Sequence, residues 1–217
     1  RDKLVTGVQT CALPISFFAF CKQAFPEISD QTVARMVAGI DAEIFRPDDE
    51  LRRLARCAVQ LGVDAEFADG RTAEAIMASL ETSGEAGRAW LAELETSRHP
   101  WFNVNVGDGF YHYHRSWNDD LALAFAGLPG YIRLLKSGES LDRPVGRLQE
   151  ERAEVIAEYR SLLSSDDERA AYDQMIGLAH RVFPYVEGHK FYCEHWYTNL
   201  FFNKIREFGA QIGRAHV

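Results

Sequence analysis

The sequence has little positive charge and no long apolar run, and each shortage excludes a class of protein. Its 217 residues carry 24 Lys and Arg against 32 Asp and Glu, a formal net charge of −8 at pH 7. Because an acidic chain repels a phosphate backbone, we expect no nucleic-acid partner. No apolar run approaches the roughly 20 residues that span a bilayer, so we expect no membrane partner either.

Cysteines are few, and none has Cys-x-x-Cys spacing. Cys11 lies in a terminal segment treated below, which leaves Cys21, Cys57 and Cys193. Three isolated cysteines favour buried thiols in a reducing compartment over a disulfide framework. We therefore expect a cytoplasmic protein.

Self-sufficient catalytic motifs are also missing. The sequence has no Gly-x-x-x-x-Gly-Lys-Ser/Thr, no Gly-x-Gly-x-x-Gly and no Gly-x-Ser-x-Gly. These motifs build phosphate loops, dinucleotide sites and nucleophile elbows, respectively. The chain is therefore not expected to form a complete catalytic centre by itself.

The two ends of the sequence differ in character from the rest. Residues 5–15 read VTGVQTCALPI and residues 212–217 read IGRAHV. Both strings resemble translations of a short-read sequencing adapter, one from each strand. We therefore expect residues 1–15 and 212–217 to be adapter-derived, and we exclude them from the fold prediction. Residues 16–211 are then expected to be an internal fragment of a longer protein.

Helical periodicity covers most of what remains. It predicts a helical array over residues 16–98, and long helices that share a domain with an irregular insert over residues 99–211. The fold class is therefore mostly α, with one irregular, aromatic-rich insert at about 99–120. The predicted helices span about 17–25, 30–44, 47–61, 72–80, 83–96, 121–136 with a break at Pro129-Gly130, 148–163, 165–183 and 184–209.

The insert, HPWFNVNVGDGFYHYHRSWNDD, begins at His99 and breaks the helical pattern. Gly107-Asp108-Gly109 is a turn signal, so a long loop or a pair of short strands is expected. Loops that combine His, Arg, Trp and Asp often carry binding or catalysis. The insert is therefore one half of a candidate site.

The other half is the last predicted helix, Pro184 to Gly209. At about 100° per residue it is apolar nearly all round, which predicts a buried helix. One stripe roughly 80° wide is polar, and a buried polar stripe needs partners. These partners are either side chains of the same chain or a ligand in a cavity. The stripe consists of Tyr192, His195, Asn199, Asn203 and Arg206.

A metal site is an alternative use of the histidines. His112 and His114 lie two residues apart, so in an extended segment both imidazoles reach one metal. His195 completes the candidate ligand set, and His189 is a further donor. Without a metal, these histidines and the neighbouring tyrosines would hydrogen-bond one another under the aromatic layer.

Three segments of the sequence together resemble a known family. They are the two aromatic blocks, PWFNVNVGDGFYHYHRSWNDD and FPYVEGHKFYCEHWYTNLFFNKIREFG, and the segment LPGYIRLLKSGESLDRP between them. Over most of residues 17–211 the chain resembles the central helical region of phosphoenolpyruvate-utilising enzymes. The most similar branch is the phenylphosphate-synthase-like phosphotransferases. In such enzymes an ATP-grasp domain phosphorylates a histidine of a swivelling domain, which passes the group to an acceptor.

The resemblance implies a fragment that contributes the acceptor-site or docking helical region of such a transferase. The Thr-x-Gly-Gly…Ser-His signature of the swivelling domain and the ATP-grasp residues are absent from the chain. The implied partners are therefore the missing ATP-grasp and swivelling phosphohistidine domains, and a small-molecule acceptor. ATP and Mg are the cofactors implied for the parent enzyme; the fragment is expected to bind none and to be inactive alone.

The resemblance also implies a set of pocket residues. Its catalytic residues would be His195 and Arg206. The arginines of the pocket would steady the transferring phosphoryl group, and a histidine would accept the acceptor's proton. The expected substrate-binding residues are His112, His114, Arg115, Trp117, His189, Tyr192 and Asn199. Two other classes stay open: a metal-binding helical enzyme or sensor, and a structural or partner-binding helical module. The module predicts a polar stripe filled by the chain's own side chains.

Overall fold

The structure of this chain is a computed structural model that describes residues 6–68, 70–105, 113 and 115–215. The predicted mostly α class is confirmed. The described part contains no β-strand, only an isolated antiparallel bridge between Asn105 and Ser116. The α-helices are α1 Thr6–Ala24, α2 Asp30–Arg35, α3 Arg46–Leu61, α4 Ala73–Thr82, α5 Gly84–Arg98, α6 Leu121–Phe125, α7 Leu128–Lys136, α8 Val145–Ser161, α9 Asp166–His189 and α10 Thr198–Ala215.

Three helices of other types complete the described elements. Two are 3₁₀-helices, Glu43–Phe45 and Asp64–Phe67, and the third is a π-helix, Lys190–Tyr197, directly before α10. Among the described residues, no helix combines the length and the apolar character that a membrane span requires.

The helices form two units. The first consists of the chain up to Glu43 and of Arg143–His189; the second consists of Ile44–Asp142 and of the chain from Lys190 on. The division of the chain at residue 99 stays a prediction.

In the first unit, α1 packs on α9 and α2 packs on α8. The core is aromatic: Tyr172 is fully buried, and its ring lies edge-on to Phe25 at 5.9 Å between centroids. The Tyr172 hydroxyl donates to the carbonyl oxygen of Ile156 at 3.3 Å, so its polar tip is satisfied within the core.

Helix α2 is shorter than predicted, because it ends at Arg35 and not near residue 44. The chain leaves the helix through turns that reach Gly39, whose φ is +69°. A Cβ at Gly39 would lie 3.1 Å from the Cβ of Leu148 on α8, so the turn also brings the backbone close to that helix. This tertiary packing overrides the helical periodicity of residues 36–44.

The second unit holds the larger core, in which α3 packs on α5 and α7. Trp90 is completely buried, and its indole N–H donates to the carbonyl oxygen of Leu54 at 3.0 Å. Its ring contacts Phe67 and Phe125, with centroids 4.7 and 5.8 Å away.

Helix boundaries in the second unit follow local signals. Pro47 lies in the first turn of α3, which ends at Gly62 with φ +70°, as predicted. The Thr72 hydroxyl caps α4 by accepting from the Ala75 N–H at 3.3 Å. The predicted break at Pro129 is misplaced, since Pro129 lies in the first turn of α7 and α6 ends at Phe125.

The insert is irregular in its described part, as predicted. Between Arg98 and Leu121 the described residues form turns and the single bridge. Two further backbone bonds extend this pairing: Trp117 N–H donates to the Val104 carbonyl, and Asn118 N–H to the Phe102 carbonyl, each at 3.1 Å. Gly107, Asp108 and Gly109 lie outside the described residues.

The predicted continuous helix over residues 184–209 is wrong. Helix α9 runs through Pro184 to His189, the π-helix follows, and α10 begins at Thr198. A π-helix hydrogen-bonds i to i+5 and is wound more widely than an α-helix, so side chains on either side of it do not keep a 100° register.

The prediction that this helix is buried all round is also wrong. In α10 the side chains of Leu200, Phe201 and Phe208 are 57, 51 and 52% exposed. The face that turns inward is the polar one, because its groups find hydrogen-bond partners in the insert.

Candidate functional site

The candidate site lies where the insert contacts the π-helix and α10, all within the second unit. The backbone N–H of Asn105 donates to Nδ1 of His195 at 3.1 Å. The Asn105 side-chain amide donates to the His195 carbonyl oxygen at 3.4 Å. One insert residue therefore holds both the ring and the backbone of His195.

This contact sets the chemistry of the imidazole. Because Nδ1 accepts a hydrogen bond, the neutral ring carries its proton on Nε2. The pKa of His195 is lowered from its ordinary value, mainly because the ring is buried. The charges of two neighbours have smaller effects: Glu194 raises the pKa and Lys190 lowers it. His195 is therefore held as a neutral ring that presents an N–H donor at Nε2.

This arrangement does not fit the expected role of His195 as a proton acceptor. Nδ1 is already used by Asn105, and Nε2 holds a proton that a neutral imidazole does not give up at ordinary pH. A donor role, stabilising a developing negative charge on an oxygen, fits the geometry.

Asn199 is the most deeply buried polar residue of α10, with 2% of its surface exposed. Its amide donates to the backbone carbonyl of Asn103 at 3.1 Å. The Asn103 side-chain oxygen in turn accepts from the Asn118 amide at 3.2 Å. These asparagines join the two stretches of the insert to the last helix through a buried polar layer.

Arg206 lies about two helical turns after Asn199 on α10. Its guanidinium donates to the side-chain oxygen of Asn203 and approaches Asp119 Oδ2 to 3.6 Å. Asp119 also accepts from the N–H and the hydroxyl of Ser116, at 3.0 and 2.9 Å. The Arg206 and Asp119 side chains are 25 and 17% exposed, so this ion pair is partly shielded from solvent.

Aromatic contacts surround the polar layer. Trp101 meets Phe191 with ring centroids 5.4 Å apart, and His99 lies edge-on to Trp196 at 5.3 Å. These pairs bring the start of the insert against the π-helix. They restrict access of water to the polar groups, which strengthens the hydrogen bonds among them.

The structure brings His195, Asn199, Arg206 and Trp117 into one unit, with Trp117 packed edge-on to Phe102 at 5.5 Å. Tyr192 is also in the π-helix, but 43% of its surface is exposed. The expected remaining members lie elsewhere: Arg115 is exposed, His189 ends α9 in the first unit, and His112 and His114 lie outside the described residues.

Two candidate-site residues were not predicted: Asn103 and Asn105. Their sequence signal is weak, because Asn-x-Asn in a loop usually indicates a turn. The alternation of Asn103 and Asn105 within an aromatic run could have indicated buried asparagines on one face of an extended segment.

The metal alternative gains no support from the described residues, among which no group of three His, Cys, Asp or Glu could hold a metal ion. Two of its three ligands, His112 and His114, lie outside that part, so the metal site stays a prediction.

An open groove of about 460 Å³ borders the insert and shares Asp119 with the Arg206 ion pair. Its lining includes four carboxylates and four apolar side chains. A carboxylate-lined groove repels a phosphate group, so this groove is not a phosphoryl pocket. The lining residues are Ala73, Glu74, Met77, Ala78, Glu81, Asn118, Asp119, Asp120 and Leu121.

Comparison with known proteins adds no relative: no family model, curated protein or solved structure matches this chain. The resemblance to phosphoenolpyruvate-utilising enzymes therefore stays a prediction, and it is based on the two aromatic blocks.

Proposed function

We propose that this chain is the acceptor-site or docking helical region of an ATP- or phosphoenolpyruvate-utilising phosphotransferase. One observation supports the proposal: the two sequence blocks that carry the resemblance are fastened together, by Asn105 to His195 and by Asn199 to Asn103, each at 3.1 Å. A site that positions an acceptor needs such a rigid junction.

In this role the chain orients an acceptor and stabilises charge. His195 donates from Nε2 to an oxygen of the acceptor or of the transferring phosphoryl group. Arg206, oriented by Asp119, supplies positive charge beside it. The ATP-grasp and swivelling phosphohistidine domains of the parent supply ATP, Mg and the phosphoryl group, in a cytoplasmic enzyme.

The test is phosphoryl transfer by the full-length parent enzyme. Because a single charge-stabilising donor is worth about 100-fold or more in rate, His195→Ala and Arg206→Ala should each lower turnover by about that factor. Gln211→Ala, at an exposed position of α10, is the matched control. Unchanged turnover in the first two variants, with their folds intact by circular dichroism, would remove both residues from the site.

A second candidate is a partner-binding helical module without an acceptor pocket. It is favoured by the partners of the polar stripe, since His195, Asn199 and Arg206 all bond to side chains or backbone of the same chain. Inorganic phosphate distinguishes the two candidates when it is titrated into ¹⁵N-labelled protein. Shifts confined to His195, Arg206 and Asp119 favour the acceptor site, whereas unchanged spectra at about 10 mM phosphate favour the module.

A further inference from the structure

Helix α10 carries its apolar residues on the side that faces solvent. Asn199 and Arg206 contact the insert, whereas Phe201, Ile205 and Phe208 are 51, 49 and 52% exposed. The usual amphipathic helix buries its apolar stripe. Here the polar stripe is packed and the apolar stripe is left open, so the fold of this unit does not explain Phe201, Ile205 and Phe208.

These residues form one narrow stripe. At 100° per residue, Ile205 lies about 40° and Phe208 about 20° from Phe201, on either side of it. The spacing is four and then three residues, which is the spacing of a helix–helix seam. The stripe is continued after Phe208 by Ile212, which is 61% exposed.

We propose that this stripe is the contact surface for a second copy of the chain, with the two α10 helices packed antiparallel about a two-fold axis near Ile205. The order of the side chains supports this partner. About that axis, Phe201 faces Phe208 of the second copy, and Ile205 faces its own counterpart. A two-fold contact requires one patch to be complementary to itself, and this stripe meets that requirement.

Charge supports the antiparallel direction. Lys204 and Glu207 form an ion pair on one flank of the stripe, and both are more than half exposed. In an antiparallel pair this flank meets the same flank of the second copy, so each Lys204 also meets a Glu207. A parallel pair would place this flank against Thr198 and Gly209, which carry no charge.

The exposed area is sufficient for a weak dimer. About half of each of several side chains, two of them phenylalanines of 150–250 Å², gives on the order of 500 Å² per copy. Specific interfaces begin at roughly 600 Å² per partner, to which the flanking charged side chains add. The dimer is therefore expected to dissociate in the micromolar range. Ile212 lies in the adapter-like segment, and the pairing of Phe201, Ile205 and Phe208 does not need it.

Light scattering after gel filtration tests the association. The chain mass is 24.6 kDa, and the measured mass should rise toward twice that value between about 5 and about 200 µM. Ile205→Lys should abolish this rise without unfolding α10, because position 205 is exposed. Leu162→Lys is the matched control: Leu162 is 63% exposed at the end of α8, and its variant should dimerise like the parent chain.

Cysteine cross-linking tests the direction, in a background that carries Cys11→Ser and Cys193→Ser. Ile205→Cys lies at the axis and should form an intermolecular disulfide under mild oxidation. Phe201→Cys alone should not, because it faces Phe208 of the second copy, whereas Phe201→Cys with Phe208→Cys should. Cross-linking of Phe201→Cys alone at the same rate would overturn the antiparallel arrangement.

Charge reversal separates specific pairing from general stickiness. Lys204→Glu should weaken the dimer at least tenfold, and adding Glu207→Lys should restore it. A single-chain mass at every concentration would overturn the proposal. So would association that Ile205→Lys and Leu162→Lys reduce equally, because it would not depend on the stripe. None of these outcomes depends on phosphoryl transfer, so the proposed function is tested separately.

Discussion

The backbone N–H of Asn105 donates to Nδ1 of His195 across 3.1 Å, between residues 90 positions apart in the sequence. This contact joins the aromatic insert to the π-helix and determines which ring nitrogen carries the proton. It also disfavours protonation, because a second proton on Nδ1 would break the hydrogen bond. The position and the tautomer of the histidine therefore depend on one backbone amide.

The first prediction concerns pH. The folded-state pKa of His195 is lowered from 6.5, mainly because the ring is buried. Above pH 6.5 the ring is neutral in both states and its titration does not affect stability. As the pH falls below 6.5, the unfolded state takes up the proton first, so the free energy of unfolding falls until the pH passes the folded-state pKa.

Urea denaturation of the parent chain and of His195→Asn between pH 4 and pH 8 measures this effect. The asparagine oxygen can accept from the Asn105 N–H but does not titrate, so the difference between the two curves isolates His195. A difference that stays constant across this range would show that the ring titrates normally. Long-range ¹H–¹⁵N spectra at pH 7 should show the proton on Nε2.

A second prediction concerns the buried amide of Asn199. In Asn199→Ala the carbonyl of Asn103 loses its donor in a site that is closed to water. We expect the free energy of unfolding to fall by about 1–3 kcal/mol, the cost of an unsatisfied buried group. Gln211→Ala, at an exposed position of the same helix, should change it by less than about 0.5 kcal/mol. Equal losses in the two variants would contradict the role given to the asparagine.

Some helix ends could be predicted from the sequence and others could not. Pro47 and Gly62 mark the ends of α3, because a proline in the first turn and a left-handed glycine after the last act locally. The end of α2 could not be predicted in the same way. It depends on Gly39 packing against Leu148, a residue more than 100 positions away.

For the candidate site, the stripe on the last helix identified His195, Asn199 and Arg206 as residues that need partners. The partners of Asn199 and His195 could not be predicted, because Asn103 and Asn105 contact them through backbone groups of an irregular segment. The π-helix was not predicted either, since its residues keep a pattern that also suits an α-helix.

Thiol reactivity gives a third prediction. Cys193 is exposed, whereas burial raises the pKa of the Cys21 thiol to about 11. Because the thiolate is the reactive form, iodoacetamide at pH 8 should modify Cys193 at least 100-fold faster than Cys21. Mass spectrometry of digested Cys11→Ser protein measures both rates. In denaturant the two rates should converge, and a persistent difference there would show that burial is not its cause.

Glycine-to-alanine substitutions at three positions give a final prediction, in which the sign of the effect depends on the site. Gly39→Ala combines a left-handed φ of +69° with a Cβ placed 3.1 Å from Leu148, so it should be the most destabilising. Gly62 has φ +70°, and a Cβ at this position would meet no atom within 4 Å. Gly62→Ala therefore measures backbone strain alone, which we expect to cost about 1–2 kcal/mol.

Gly177 lies within α9, and a Cβ there meets nothing within 4 Å. Gly177→Ala should therefore stabilise the chain, by about 0.5–1 kcal/mol, because alanine loses less conformational entropy in a helix. The three variants, measured together by urea denaturation, should fall in the order Gly177→Ala, Gly62→Ala, Gly39→Ala from most to least stable. If Gly39→Ala and Gly62→Ala lose the same free energy, the close approach to Leu148 does not contribute, and backbone strain in the alanine variant accounts for the whole loss at Gly39.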